Sequence, residues 1–63
     1  MNDLSEFDVK VLRILNGEDV PEVHGGAGVW ASAAYLRNLG LAMGAYEITE
    51  MGKEFLENYE ARR

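Results

Sequence analysis

A mainly α-helical fold with a small β-hairpin is what this sequence predicts, on three observations. Apolar residues recur three and four apart in three stretches, Leu4 to Leu15, Val29 to Leu39 and Met51 to Tyr59. Helix-stopping or helix-starting residues bound them: Asn16-Gly17, Gly40 and Thr49. Between the second and third stretches lie two short extended pieces around Gly44. The 63 residues leave room for one small domain, residues 1–63. With 48% hydrophobic residues and one proline, the composition is that of a packed chain.

The first helix is expected from Glu6 to Leu15. Ser5 is placed to accept a bond from the backbone N–H of Asp8 while Asp8 reaches back, and Leu4 and Val9 occupy the positions of a hydrophobic staple. Asn16-Gly17 supplies the stop, because glycine enters the left-handed conformation at no steric cost. In Asp19-Val20-Pro21-Glu22, an aspartate cap, a proline and a glutamate three residues after the cap predict one short helical turn. Gly25 and Gly26 end it, and His24 to Gly28 reads as a mobile connection.

The longer helix follows from Val29 to Leu39, with Val29, Ala33, Leu36 and Leu39 along one side and Gly40 as its stop. Leu41 to Met43 and Ala45 to Ile48 then form a minimal hairpin with Gly44 at its tip. Thr49 caps the last helix, whose apolar face is Met51, Phe55, Leu56 and Tyr59. Gly52 in that helix permits close approach of another element, and Arg62 and Arg63 suit the negative end of its dipole. The expected core is Val9, Leu12, Leu15, Val29, Ala33, Leu36, Ile48 and Phe55.

Several function classes are disfavoured. The chain has no cysteine, which removes disulfides and thiolate metal sites, and its one histidine, His24, has no partner at metal-ligand spacing. Gly25, Gly26 and Gly28 precede a helix without the Gly-Lys-Ser/Thr ending of a phosphate-binding loop. Ser5, Ser32 and Thr49 have no base partner in sequence, and the serines read as a cap and a helix-surface residue. No metal, no cofactor and no enzymatic activity are expected. No apolar run reaches the roughly 18 to 20 residues that cross a bilayer, and Met1-Asn2-Asp3 does not open like an export signal. A soluble, cytoplasmic protein with no membrane partner is the expectation.

The string Tyr35-Leu36-Arg37-Asn38-Leu39-Gly40-Leu41-Ala42, followed by Tyr46-Glu47-Ile48-Thr49-Glu50-Met51-Gly52-Lys53-Glu54-Phe55-Leu56, resembles the signature of compact winged helix-turn-helix regulators, including the MarR and PadR types. The likeness covers about the second half of the chain, and the first half agrees in element order. It implies a winged-helix-like three-helix core with a minimal hairpin and a C-terminal helix. It also implies a DNA-binding, transcription-regulating role in which the helix from Val29 to Leu39 enters the major groove. Carried over by position, Val29, Ala33 and Leu36 face inward. Gly28, Trp30, Ala31, Ala34 and Tyr35 face outward, with Arg37 as the only charge.

Those outward residues are the candidate site, and they fit two partner classes. Base-reading faces draw on Arg, Lys, Asn, Gln, Ser or Thr, whereas this one offers alanines and two aromatics. The wing tip, Met43-Gly44-Ala45, carries no cation, and the net charge of −5 works against binding a polyanion. The alternative is a protein-interaction module that docks a partner through Trp30 and Tyr35, as aromatics do at interfaces. A third use of the aromatics is stacking on nucleic-acid bases, and a fourth is filling the core beneath an alanine-rich helix. Folding could gather Arg37 with Lys10 or Arg13 into a small positive face. A homodimer through Phe55 to Tyr59 on the C-terminal helix would raise DNA affinity.

Overall fold

The computed structural model describes residues 4–23 and 25–61. Its elements are α1 (Glu6–Leu15), α2 (Ala27–Asn38), β1 (Ala42–Met43), β2 (Glu47–Ile48) and α3 (Glu50–Ala61). The fold is mainly helical with a two-stranded antiparallel hairpin, as expected. Asp19 to Glu22 adds no helix: it closes as one turn, the Val23 N–H donating to the Val20 carbonyl at 3.1 Å. The glycines that follow leave too few residues to repay the cost of helix nucleation. His24, Arg62 and Arg63 lie outside the described residues.

α1 begins with the expected reciprocal cap, the Asp8 N–H donating to Ser5 Oγ and the Ser5 N–H to Asp8 Oδ2, both at 3.2 Å. It ends in a Schellman motif. Gly17, at φ 90°, donates to the Ile14 carbonyl at 2.9 Å, and Glu18 donates to Arg13 at 3.0 Å. The same device ends α2, with Gly40 donating to Arg37 at 3.1 Å and Leu41 to Leu36 at 3.0 Å. The motif favours an apolar contact between its first and last residues, and Leu36 and Leu41 are both buried. One turn chemistry therefore ends α2 and directs the chain into the hairpin.

α2 begins two residues earlier than expected, at Ala27, with Gly26 as an N-cap lacking any side-chain bond. The hairpin strands are shorter than predicted, pairing Ala42 with Ile48 and Met43 with Glu47, so Gly44, Ala45 and Tyr46 all belong to the turn. Thr49 then joins three elements. Its Oγ1 donates to the Gly40 carbonyl at 2.8 Å and accepts from the Gly52 N–H at 3.1 Å, while its own N–H donates to the Leu41 carbonyl at 3.1 Å.

The core consists of Val9, Val11, Leu12, Ala33, Leu36, Leu41, Ala42 and Leu56. Of the expected core, Leu15, Val29, Ile48 and Phe55 are only half-buried and pack around its edge. Val11, Leu41, Ala42 and Leu56 take the interior positions, because the hairpin start and α3 fold over α1. Met51, expected on α3's apolar face, and Leu39, expected beside Leu36, are exposed. Leu39 is the cap residue of α2, where the chain leaves the packed face. Met51 lies over the end of α2, its Cε 3.4 Å from where a Gly40 Cβ would stand.

Ser32 corrects the expectation of a helix-surface serine. It is 7% exposed, and its hydroxyl donates to Asp8 Oδ1 at 2.5 Å. The Asp8 carboxylate thus caps α1 with one oxygen and anchors α2 with the other. Asp8→Ala is expected to cost about 2 kcal/mol, the sum of a weakened cap and a buried hydroxyl left without its acceptor. Urea unfolding followed by circular dichroism measures it, and Asp8→Asn should recover part of the loss.

Candidate functional site

Two surfaces are candidate sites: a charged groove beside α1 and the outward face of α2. The groove, about 410 Å³, lies between α1, the segment from Glu18 to Glu22, and Tyr59 of α3. Its cations are already paired. Lys10 Nζ stands 3.8 Å from Glu22, Arg13 lies 3.5 Å from Glu18, and Arg13 also contacts Glu60. Such partly exposed pairs contribute little stability, but they pair both of the described basic residues that line the groove. Lys10 and Arg13 therefore face acids of their own chain, and the structure pairs neither with Arg37. Among the described residues, no group of three or more His, Asp or Glu side chains could hold a metal ion.

The outward face of α2 follows from the pitch of the helix. At about 100° per residue, Ser32, Ala33 and Leu36 share the side turned into the core, and all three are buried. Gly28, Trp30, Ala31, Ala34, Tyr35 and Arg37 consequently turn outward, and all six are exposed. The two aromatics do not fill the core: Trp30 is 61% and Tyr35 42% exposed. The alanines that leave α2 weakly amphipathic lie on this outer side, so the core loses no volume to them.

Trp30 and Arg37 flank the alanines on one side and Tyr35 on the other. Seven residues separate Trp30 from Arg37, two helical turns or about 10.5 Å along the same edge. The hairpin turn completes that edge with Tyr46. Its ring lies 5.5 Å from the Trp30 ring at a 60° tilt, and the Arg37 guanidinium stands 5.9 Å from its centroid. Both contacts are favourable, a tilted aromatic pair and a cation over a π face. Tyr46 adopts φ 65°, the one non-glycine residue with positive φ among the described residues. A bulky side chain seldom takes that conformation, and here it carries the ring from the hairpin onto α2.

Sequence reasoning missed Tyr46 as a site residue. Its place beside the hairpin turn was visible in the sequence, but only the backbone turn shows that its ring meets Trp30 and Arg37. The resulting surface is a strip of exposed alanines between an aromatic edge carrying one cation and a second aromatic, Tyr35. It bears no carboxylate: α2 contains no Asp or Glu. Phe55 and Tyr59, the expected dimer contact on α3, are half-buried and stack on each other at 6.2 Å.

Compared with known protein families, characterised proteins and solved structures, the chain matches none. No helix among the described residues is long and apolar enough to cross a membrane.

Proposed function

We propose that this chain is a protein-interaction module on a winged-helix-like fold, docking a partner protein through the outward face of α2. The observation that carries the reading is Trp30, 61% exposed on a face whose only charge is Arg37. Large exposed aromatics beside an arginine make up the residue set that dominates protein interfaces. A polyanion would meet one cation here, and the net charge of −5 repels it from the rest of the molecule.

A groove-reading role is the second reading, favoured by one specific observation. The order of α2, hairpin and α3 resembles that of winged-helix DNA binders, and the helix preceding the hairpin turns Trp30, Tyr35 and Arg37 to solvent. Two measurements separate the readings. Titration with a mixed-sequence DNA duplex, followed by two-dimensional NMR, is expected to leave the Trp30 indole and the amides of Gly28 to Arg37 unmoved at low salt. Shifts there that fade as salt rises would establish DNA binding instead. Affinity capture from nuclease-treated source extract should then yield a partner that persists at about 0.5 M salt, well past the screening of surface charges. Trp30→Ala is expected to weaken that capture by about thirtyfold, the size of an interface hot spot.

A further inference from the structure

We infer that the partner on α2 is a second copy of this chain, packed antiparallel across a two-fold axis with Trp30 of each copy against Arg37 of the other. The inference rests on the docking role of α2 and names its occupant. Charge selects the face. In a chain of net charge −5, self-association through most of the surface would set carboxylates against carboxylates. α1 carries Glu6 and Asp8, and α3 carries Glu50, Glu54, Glu57 and Glu60, whereas α2 carries no acid and a single cation. Two copies meet there with the least repulsion.

Geometry makes the face complementary to itself. Ala27, Ala31, Ala34 and Asn38 follow the alternating four- and three-residue spacing of a helix-pairing seam. Their small side chains let two helix axes approach to about 8 Å. Trp30 and Arg37 both occupy one flank of that seam and Tyr35 the other. In an antiparallel pair like flanks meet, so the indole at one end of the first helix reaches the guanidinium at the far end of the second. The two-fold axis repeats the contact, as an isologous dimer requires. Arg37 is already held over Tyr46, so its side chain gives up little freedom on pairing.

A seam only 12 residues long buries less than a standard interface, so the dimer is expected to be weak, with a Kd of about 10 to 100 μM. Trp30 is the only tryptophan and reports on its own burial. Sedimentation and tryptophan emission are to be measured on the full chain from about 1 μM to 1 mM, a range that brackets this affinity. Mass should rise toward the dimer as the emission moves to shorter wavelength, both more steeply at higher salt, because screening relieves the repulsion of two acidic copies.

Ala34→Glu should abolish the concentration dependence. Arg37→Glu, a flank change, should weaken the dimer at least tenfold while leaving the helical signal intact, and it decides the matter if Ala34→Glu fails to fold. A wild-type chain that stays monomeric with unmoved emission would overturn the second-copy inference. Docking of a different protein would then stand or fall on the salt-resistant capture. A dimer that survives both substitutions overturns the inference as well, and places self-association on another face such as Phe55 to Tyr59.

Discussion

Gly52→Ala is expected to destabilise the protein by about 3 kcal/mol, with a fall in Tm of about 12 to 24 °C for a domain of this size. Helix propensity alone predicts the opposite, since alanine is favoured over glycine inside a helix by about 1 kcal/mol. The decisive fact is space. A Cβ at position 52 would collide with the Leu41 carbonyl oxygen and stand 2.7 Å from Ile48 Cγ1. The side chain of Ile48 could rotate away, but the carbonyl belongs to the backbone and already accepts the Thr49 N–H at 3.1 Å. Relief requires α3 to move off the hairpin, which also strains the Thr49 bonds to Gly40 and Gly52. Native stability for 63 residues is about 3 to 9 kcal/mol, so this one methyl group removes a large part of it. Thermal unfolding of the two proteins measures the difference, and a Gly52→Ala protein as stable as the wild type would show that α3 does not approach Leu41 this closely.

Leu36→Ala should cost about 3 to 4 kcal/mol, the range for a fully buried leucine whose site cannot collapse. Leu36 is 0% exposed and touches the core from α2 while its carbonyl holds the chain entering the hairpin. Trp30→Ala on the same helix removes a larger side chain and should cost no more than about 1 kcal/mol, the value of its tilted contact with Tyr46. The contrast separates the two sides of α2 in one pair of urea titrations. A Trp30→Ala protein that unfolds as readily as the Leu36→Ala one would mean that the indole is part of the core, and the proposed docking face would lose its anchor.

Much of the fold was legible because local signals agreed with one another. Ser5 and Asp8 formed the predicted cap, Gly17 and Gly40 took the left-handed stops, and Thr49 capped α3. Each of these works within a few residues of chain, so spacing alone is informative. Asp19 to Glu22 was read as one short helical turn and closes as a single hydrogen-bonded turn that goes no further, because a cap and a proline signal a start and the glycines that follow stop it. The outward set on α2 was legible by the same logic, since helix period separates Trp30, Ala31, Ala34 and Tyr35 from Ala33 and Leu36 once one side is buried.

Other features depended on contacts between residues distant in sequence. Ser32 looked like a surface residue until its hydroxyl met Asp8, 24 positions away. Tyr46 joined the site only because a positive φ in the hairpin turn swung its ring between Trp30 and Arg37. Lys10 and Arg13 could have supported a cationic face beside α2, but packing gave them to Glu22, Glu18 and Glu60. The amino-acid sequence by itself determined where helices begin and end and which residues of α2 turn outward, because caps, stops and helical period act over one or two turns. Only the tertiary structure decided which aromatics, cations and hydroxyls meet, because those pairings arise when separate elements close on a shared core.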